Sequence, residues 1–184
     1  VRPGDMFVID INGVSFQGYR TCFYRTYVVG DKPTEFQKEV YNCAYEGLMA
    51  LTNSIKAGIT NHEAQQNWID KGRAPGLWGA VPKWPAPGRY YFGSACHHIG
   101  LCSGDPGPVI PGTVADIIPV GPPLTLEKNM CFAVEVGCFT WDGENWARDG
   151  VKIEHCGRVT ETGFEVFYRF PAKDLIACGL PGVY

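Results

Sequence analysis

The sequence predicts an α+β fold with a largely antiparallel sheet, and three observations carry that prediction. Short β-rich runs come first, two capped helices follow, and β-rich runs return in the last third, so strands and helices are segregated instead of alternating. Glycine (23) and proline (14) are frequent among the 184 residues without any collagen-like period, which demands many turns. A hydrophobic share of 45% against 19% charged residues, below the roughly 25% of an average chain, describes a folded, rather apolar protein. At this length a single domain over residues 1–184 is expected.

Residues 6–11 (MFVIDI) form a β-rich apolar run, and Asn12-Gly13 after it is a hairpin dipeptide. Residues 14–19 and 24–29 continue as strands of an antiparallel meander that stops at Gly30-Asp31. Thr34 with Gln37 makes a capping box, and Val40, Ala44, Leu48, Leu51 and Ile55 recur at helical spacing up to Gly58. A second box, Thr60 with Glu63, opens a shorter helix that Gly72 closes. Residues 73–93 are rich in proline, glycine and aromatics and predict a long ordered loop; Trp78, Trp84, Tyr90, Tyr91 and Phe92 there, with Trp141 and Trp146, are candidates to wall a pocket for a quaternary ammonium or sulfonium group, to fill space or to make a subunit interface. Residues 130–137, 151–154, 157–160 and 164–168 are the closing strands.

With 16 basic and 19 acidic side chains the formal charge is −3, which argues against a nucleic-acid footprint or a polybasic membrane patch. No apolar run approaches the roughly 20 residues of a membrane helix. The eight cysteines form no CxxC pair, and several lie inside apolar runs, so they read as reduced thiols of a cytoplasmic protein. The first residue is Val1, and a fragment or processed product is expected.

Potential metal ligands cluster at strand ends and beside glycines: Asp10, Asn12 and Cys22 in the first meander, His97 in CHHIGL, Glu135 in FAVEVG and Glu154 in VKIE. Glu135 and Glu154 carry most weight, because a carboxylate in an apolar strand is costly to bury unless a cation or donor compensates it. Carboxylates with an imidazole suit a divalent ion. His155, next to Glu154, is a candidate for a supporting role, and His98 reads as structural.

The segments GDMFVIDING, FQGYRTCFYRTYVVG, QKEVYNCAYEGLMALTNSIKAG, HHIGLC, LEKNMCFAVEVG and GVKIEHCGRVTETGFEV span nearly the whole chain. In content and order they resemble the pita-bread family of methionine aminopeptidase, prolidase, aminopeptidase P and creatinase. The resemblance implies that fold, with a curved, largely antiparallel sheet and helices on its outer face, and a missing N-terminal part. It matches His97 to the family's histidine ligand, Glu135 and Glu154 to its two glutamates and Asp10 to its first aspartate. The second, metal-bridging aspartate falls on Cys22, and the family's second histidine on Gly104. The spacing from Asp10 to Cys22 is one residue longer than in typical peptidases and resembles the branch containing the metal-dependent lyase of dimethylsulfoniopropionate, in which acids occupy both positions matched by Asp10 and Asn12.

These matches imply a metal-dependent hydrolase similar to the Xaa-Pro peptidases, acting on a short peptide or a small amino-acid-like substrate, with Glu135 and His97 catalytic. A single zinc or iron ion is expected on Cys22, His97, Glu135 and Glu154, because Asp10 with neutral Asn12 is poor for a second; manganese, cobalt or no metal, as in creatinase, are the alternatives. Alternative functions are a lyase of a sulfonium or betaine-type substrate, a metal-free hydrolase, and an inactive binding module. The expected assembly is a homodimer, or association with the missing N-terminal segment.

Overall fold

The computed structural model describes residues 1–72, 88–92, 96–101, 107–110, 122–141 and 150–179. Among them are strands β1 (Met6–Asp10), β2 (Ser15–Phe16), β3 (Tyr19–Arg20), β4 (Tyr24–Val29), helices α1 (Glu35–Thr52) and α2 (Asn61–Gly72), and strands β5 (Gly88–Phe92), β6 (Cys96–His98), β7 (Cys131–Trp141), β8 (Val151–Val159), β9 (Phe164–Val166) and β10 (Ile176–Cys178). Most of the 73–93 loop, Trp146 and the aromatic side chains proposed as a pocket wall lie outside the described parts of the structure.

Two sheets organise the molecule. One runs β1-β4-β10, antiparallel between β1 and β4 and parallel between β4 and β10. The larger runs β5-β7-β8-β9, all antiparallel, with β6 also paired to β7. The α+β reading therefore holds, with β10 as a parallel addition that the sequence pattern did not reveal.

Both helices begin where their caps predict. Thr34 Oγ1 accepts from the Gln37 N–H at 3.2 Å while Gln37 Oε1 accepts from the Thr34 N–H at 3.0 Å. Thr60 and Glu63 close the same reciprocal pair in front of α2. Helix α1 stops at Thr52, earlier than its apolar spacing suggests, because Asn53 caps it and the Ser54 hydroxyl donates to the Leu51 carbonyl at 2.7 Å. Ile55 still joins the core from the turn beyond.

The first meander differs in detail. Asn12-Gly13 does not close the hairpin; β1 pairs with β4, and a small β2–β3 hairpin between them turns at Gln17-Gly18, both at positive φ (53° and 89°). The predicted break before Gly157 is also absent, and β8 runs through it. A Cβ at Gly157 would stand 2.2 Å from the Glu165 carbonyl oxygen, so this glycine permits close pairing of β8 with β9 instead of ending a strand.

Period-2 alternation gives β7 two different faces. Phe132, Val134, Val136 and Cys138 join Val151 and Ile153 of β8 in the main core, under Val40, Ala44, Leu48 and Leu51 of α1. Trp68 of α2 closes that core and donates from Nε1 to the Gly47 carbonyl at 3.2 Å. The other face presents Ala133 and Glu135 of β7 and Glu154 and Cys156 of β8, with no helix over it among the described residues. Neither described helix is long and apolar enough to cross a membrane. The described cysteines, Cys22, Cys43, Cys96, Cys131, Cys138, Cys156 and Cys178, are thiols and not disulfide halves.

Candidate metal centre

Glu135 and Glu154 are register partners on β7 and β8, so antiparallel pairing alone sets two carboxylates side by side on the helix-free face. β6 pairs with β7 one residue out of step, placing His97 opposite Ala133 and its imidazole beside Glu135. Cys22 precedes β4, whose neighbours bind to β8 by side chains and not by a ladder. The Arg25 guanidinium donates from Nη1 to the Glu154 carbonyl, the Cys156 thiol donates to the Cys22 carbonyl at 2.9 Å, and the Tyr168 hydroxyl donates to that same carbonyl. The two sheets thus meet at this site.

One ligand atom each from Cys22, His97 and Glu154 lies within 4.8 Å of the other two. His97 Nδ1 faces the His98 carbonyl at 2.9 Å, and since a carbonyl only accepts, Nδ1 carries the proton and Nε2 is left bare in the neutral ring. That bare nitrogen stands 3.2 Å from Glu135 Oε1. Two acceptors at that distance require a proton or a cation between them; without a metal the carboxylate holds the imidazole pKa above its ordinary range.

Glu154 is fully buried, and neither carboxylate oxygen meets a hydrogen-bond donor among the described residues. Burial, with Glu135 and Asp10 nearby, pushes its pKa up to about 9 against the opposing pull of Lys152 and Arg25. A buried acceptor pair without donors, beside a bare imidazole nitrogen and a thiol, fits a divalent cation. A largely apolar cavity of about 310 Å³ is lined by residues including Thr21, Ile99, Cys131, Cys156 and Tyr168, of which Thr21 and Cys156 neighbour Cys22.

The structure brings Cys22, His97, Glu135 and Glu154 together. Asp10 and Asn12 lie to one side of that group: Asp10 is exposed at the end of β1 with its charge acting on Glu154 and Tyr24, and Asn12 donates from Nδ2 to the Tyr24 hydroxyl at 3.1 Å. His155 is on the opposite face of β8, 3.5 Å from the Thr52 hydroxyl, where burial drives its pKa down to about 4, so it has no supporting role at the centre. His98 packs edge-on against Phe132, in a structural place. Gly104 lies outside the described residues.

Sequence reading missed Arg25, Thr26 and Lys152. Lys152 alone had a local signal, since strand alternation puts it on the face of Glu154 two residues on.

A largely antiparallel sheet pair, helices on one face and a carboxylate, imidazole and thiol cluster on the other define a protein of the pita-bread fold. The model of metallopeptidase family M24 matches residues 1–161, and the chain belongs to that family. The chain is similar to the Xaa-Pro dipeptidase of Lactobacillus helveticus, 29% identical over 167 residues that cover 91% of this chain and 38% of that protein. A probable dipeptidase PepE of Mycobacterium tuberculosis is 26% identical over 163 residues, covering 89% of this chain and 37% of that one. Among solved structures, the Xaa-Pro dipeptidase from Bacillus anthracis superimposes with a TM-score of 0.69 at 30% identity, covering 97% of this chain and 42% of that chain. The X-Pro aminopeptidase from Thermotoga maritima gives 0.66 at 25%, with 97% and 42% covered. The chain therefore spans about two fifths of the length of these relatives.

Proposed function

We propose that residues 1–184 form the metal-bearing catalytic unit of a hydrolase that cleaves the amide bond of short Xaa-Pro-type peptides or a related small substrate. The observation that carries this reading is Glu154, buried with both oxygens lacking donors among the described residues beside His97 and Cys22. Cys22, His97, Glu135 and Glu154 would hold one divalent ion, and a donor set of sulfur, nitrogen and oxygen suits zinc or ferrous iron above manganese or cobalt. Such an ion supplies Lewis-acid polarisation of an amide carbonyl and makes water acidic.

This chain's own residues complete the chemistry. The His98 carbonyl holds the proton of the neutral His97 ring on Nδ1, so that ring presents Nε2 as its lone pair. Glu135 offers Oε1 beside His97, and in this reading it takes a proton from water and returns it to the leaving amine. The apolar cavity suits an uncharged side chain next to the scissile bond. The names of the relatives, Xaa-Pro dipeptidases and aminopeptidases, agree with this substrate class. Asn12, engaged with Tyr24, lends no support to a lyase.

The thiol-rich composition favours a cytoplasmic setting. The edge strand β1, with Val8 and Ile9 partly exposed, favours assembly as a homodimer or with a segment N-terminal to it, which light scattering distinguishes. The functional test is release of proline from Xaa-Pro dipeptides by the zinc-loaded chain and by Glu135→Gln. Activity that falls by at least 100-fold in the variant is expected; undiminished activity in Glu135→Gln sinks the assignment.

A further inference from the structure

The face that carries the ligand cluster also holds a fixed positive charge that the hydrolase reading leaves unused. Its owner is Lys152. The Lys152 N–H donates to Thr26 Oγ1 at 3.0 Å, and the Thr26 hydroxyl faces the Lys152 carbonyl at 2.8 Å, so the backbone from which the side chain springs is held from both sides. The ammonium stands 3.7 Å from Glu135 Oε2 and 4.2 Å above the Tyr24 ring. Tyr24 in turn receives the Asn12 amide and is the register partner of Asp10.

Glu135 is therefore engaged from two sides, by His97 at Oε1 and by Lys152 at Oε2. On the Lys152 side the surroundings are an aromatic ring that attracts a monocation, a neutral amide and the Asp10 carboxylate, whose charge acts on that ring. A dication entering there would meet the ammonium at close range, with Asp10 as the one carboxylate on that side among the described residues and no charge on Asn12 to add to it.

We propose that Lys152 takes the place of a second metal ion: its ammonium balances Glu135 and, with neutral Asn12, keeps the centre mononuclear. This rests on reading the cluster as a metal site. The test is elemental analysis of the chain after loading with zinc or manganese and desalting, for the unaltered protein, Asn12→Asp, and Asn12→Asp combined with Lys152→Met. One, one and two equivalents are expected. Two equivalents in the unaltered chain or in Asn12→Asp alone overturn the proposal, as does a single equivalent in the double variant. No metal in the unaltered chain overturns the metal site itself, whereas one equivalent in all three sinks only the role of Lys152.

Electron paramagnetic resonance of the manganese-loaded proteins locates the second equivalent. An exchange-coupled pair in the double variant is expected, and an isolated-ion spectrum despite two equivalents overturns the assignment. Lys152→Gln replaces Lys152→Met if the latter does not fold, and Asn12→Asp with Lys152→Arg should return to one equivalent.

Discussion

Glu154 stays neutral to about pH 9 in the metal-free chain, whereas an unfolded glutamate ionises near 4.5. Between those values the folded state holds a proton that the unfolded state has lost, so the stability of the metal-free protein falls as pH rises through this window. His155 works the other way. Buried neutral with a pKa near 4, it adds stability as pH climbs from there to about 6.5 and nothing above. From about pH 6.5 to 9 Glu154 should dominate, with a slope approaching about 1.4 kcal/mol per pH unit. Urea titrations of the metal-free chain across that range should show the decline, and Glu154→Gln should flatten it to the smaller share left by His97, whose pKa the Glu135 carboxylate also raises; an unchanged slope in the variant sinks the account. Metal binding must displace the same proton, so zinc affinity should rise with pH below 9, read as proton release in a weakly buffered titration. At this scale the sequence was informative wherever burial cost gave a signal. A glutamate inside FAVEVG or VKIE has to be explained, while Asp10 and Asn12, beside a turn, carry no such burial signal.

Among the elements, β4 and β8 are joined without a ladder, and Thr26 supplies two of the contacts. Thr26→Val keeps the shape and removes both, so a loss of about 2 kcal/mol is expected in denaturant unfolding, together with weaker zinc binding. Thr26→Ser should restore most of each; loss of stability with unaltered zinc affinity would separate the clamp from the centre. Gly157→Ala should cost about 2 kcal/mol or more, since the new methyl group collides with the Glu165 carbonyl and the Phe164 ring. Helix starts were legible because Thr34-Gln37 and Thr60-Glu63 are local reciprocal pairs. Gly157 was not, because a glycine that ends a strand and one that admits a neighbouring carbonyl look alike in one dimension. β10 escaped for a similar reason: three residues acquire strand structure only from their parallel partner β4.

In the molecule as a whole, the candidate ligands come from the β4 side of one sheet and from β6, β7 and β8 of the other. A bound ion would tie the two sheets together, and only the folded arrangement offers all the ligands. Zinc at a hundredfold excess over its Kd should stabilise the chain by about 2.7 kcal/mol, seen as a rise in Tm that a chelator reverses. A Tm indifferent to zinc would mean that the cluster does not form a site. Fold class and family were readable from the order of segments across the chain, because that order survives exchanges of single ligands. The union of the sheets was not readable, since it depends on side chains such as Arg25 and Thr26 reaching backbone far along the sequence.

The carbonyl of Cys22, gripped by the Cys156 thiol and the Tyr168 hydroxyl, gives the centre a property of its own. Because the peptide unit is anchored from elsewhere, the scaffold does not depend on which side chain it displays there. That position behaves as a socket: with sulfur in it the centre should discriminate in favour of soft ions such as cadmium, and with Cys22→Asp the same pedestal should turn its preference toward manganese. A single replacement at this position thus retunes which ion the proposed site prefers, without disturbing the sheets around it.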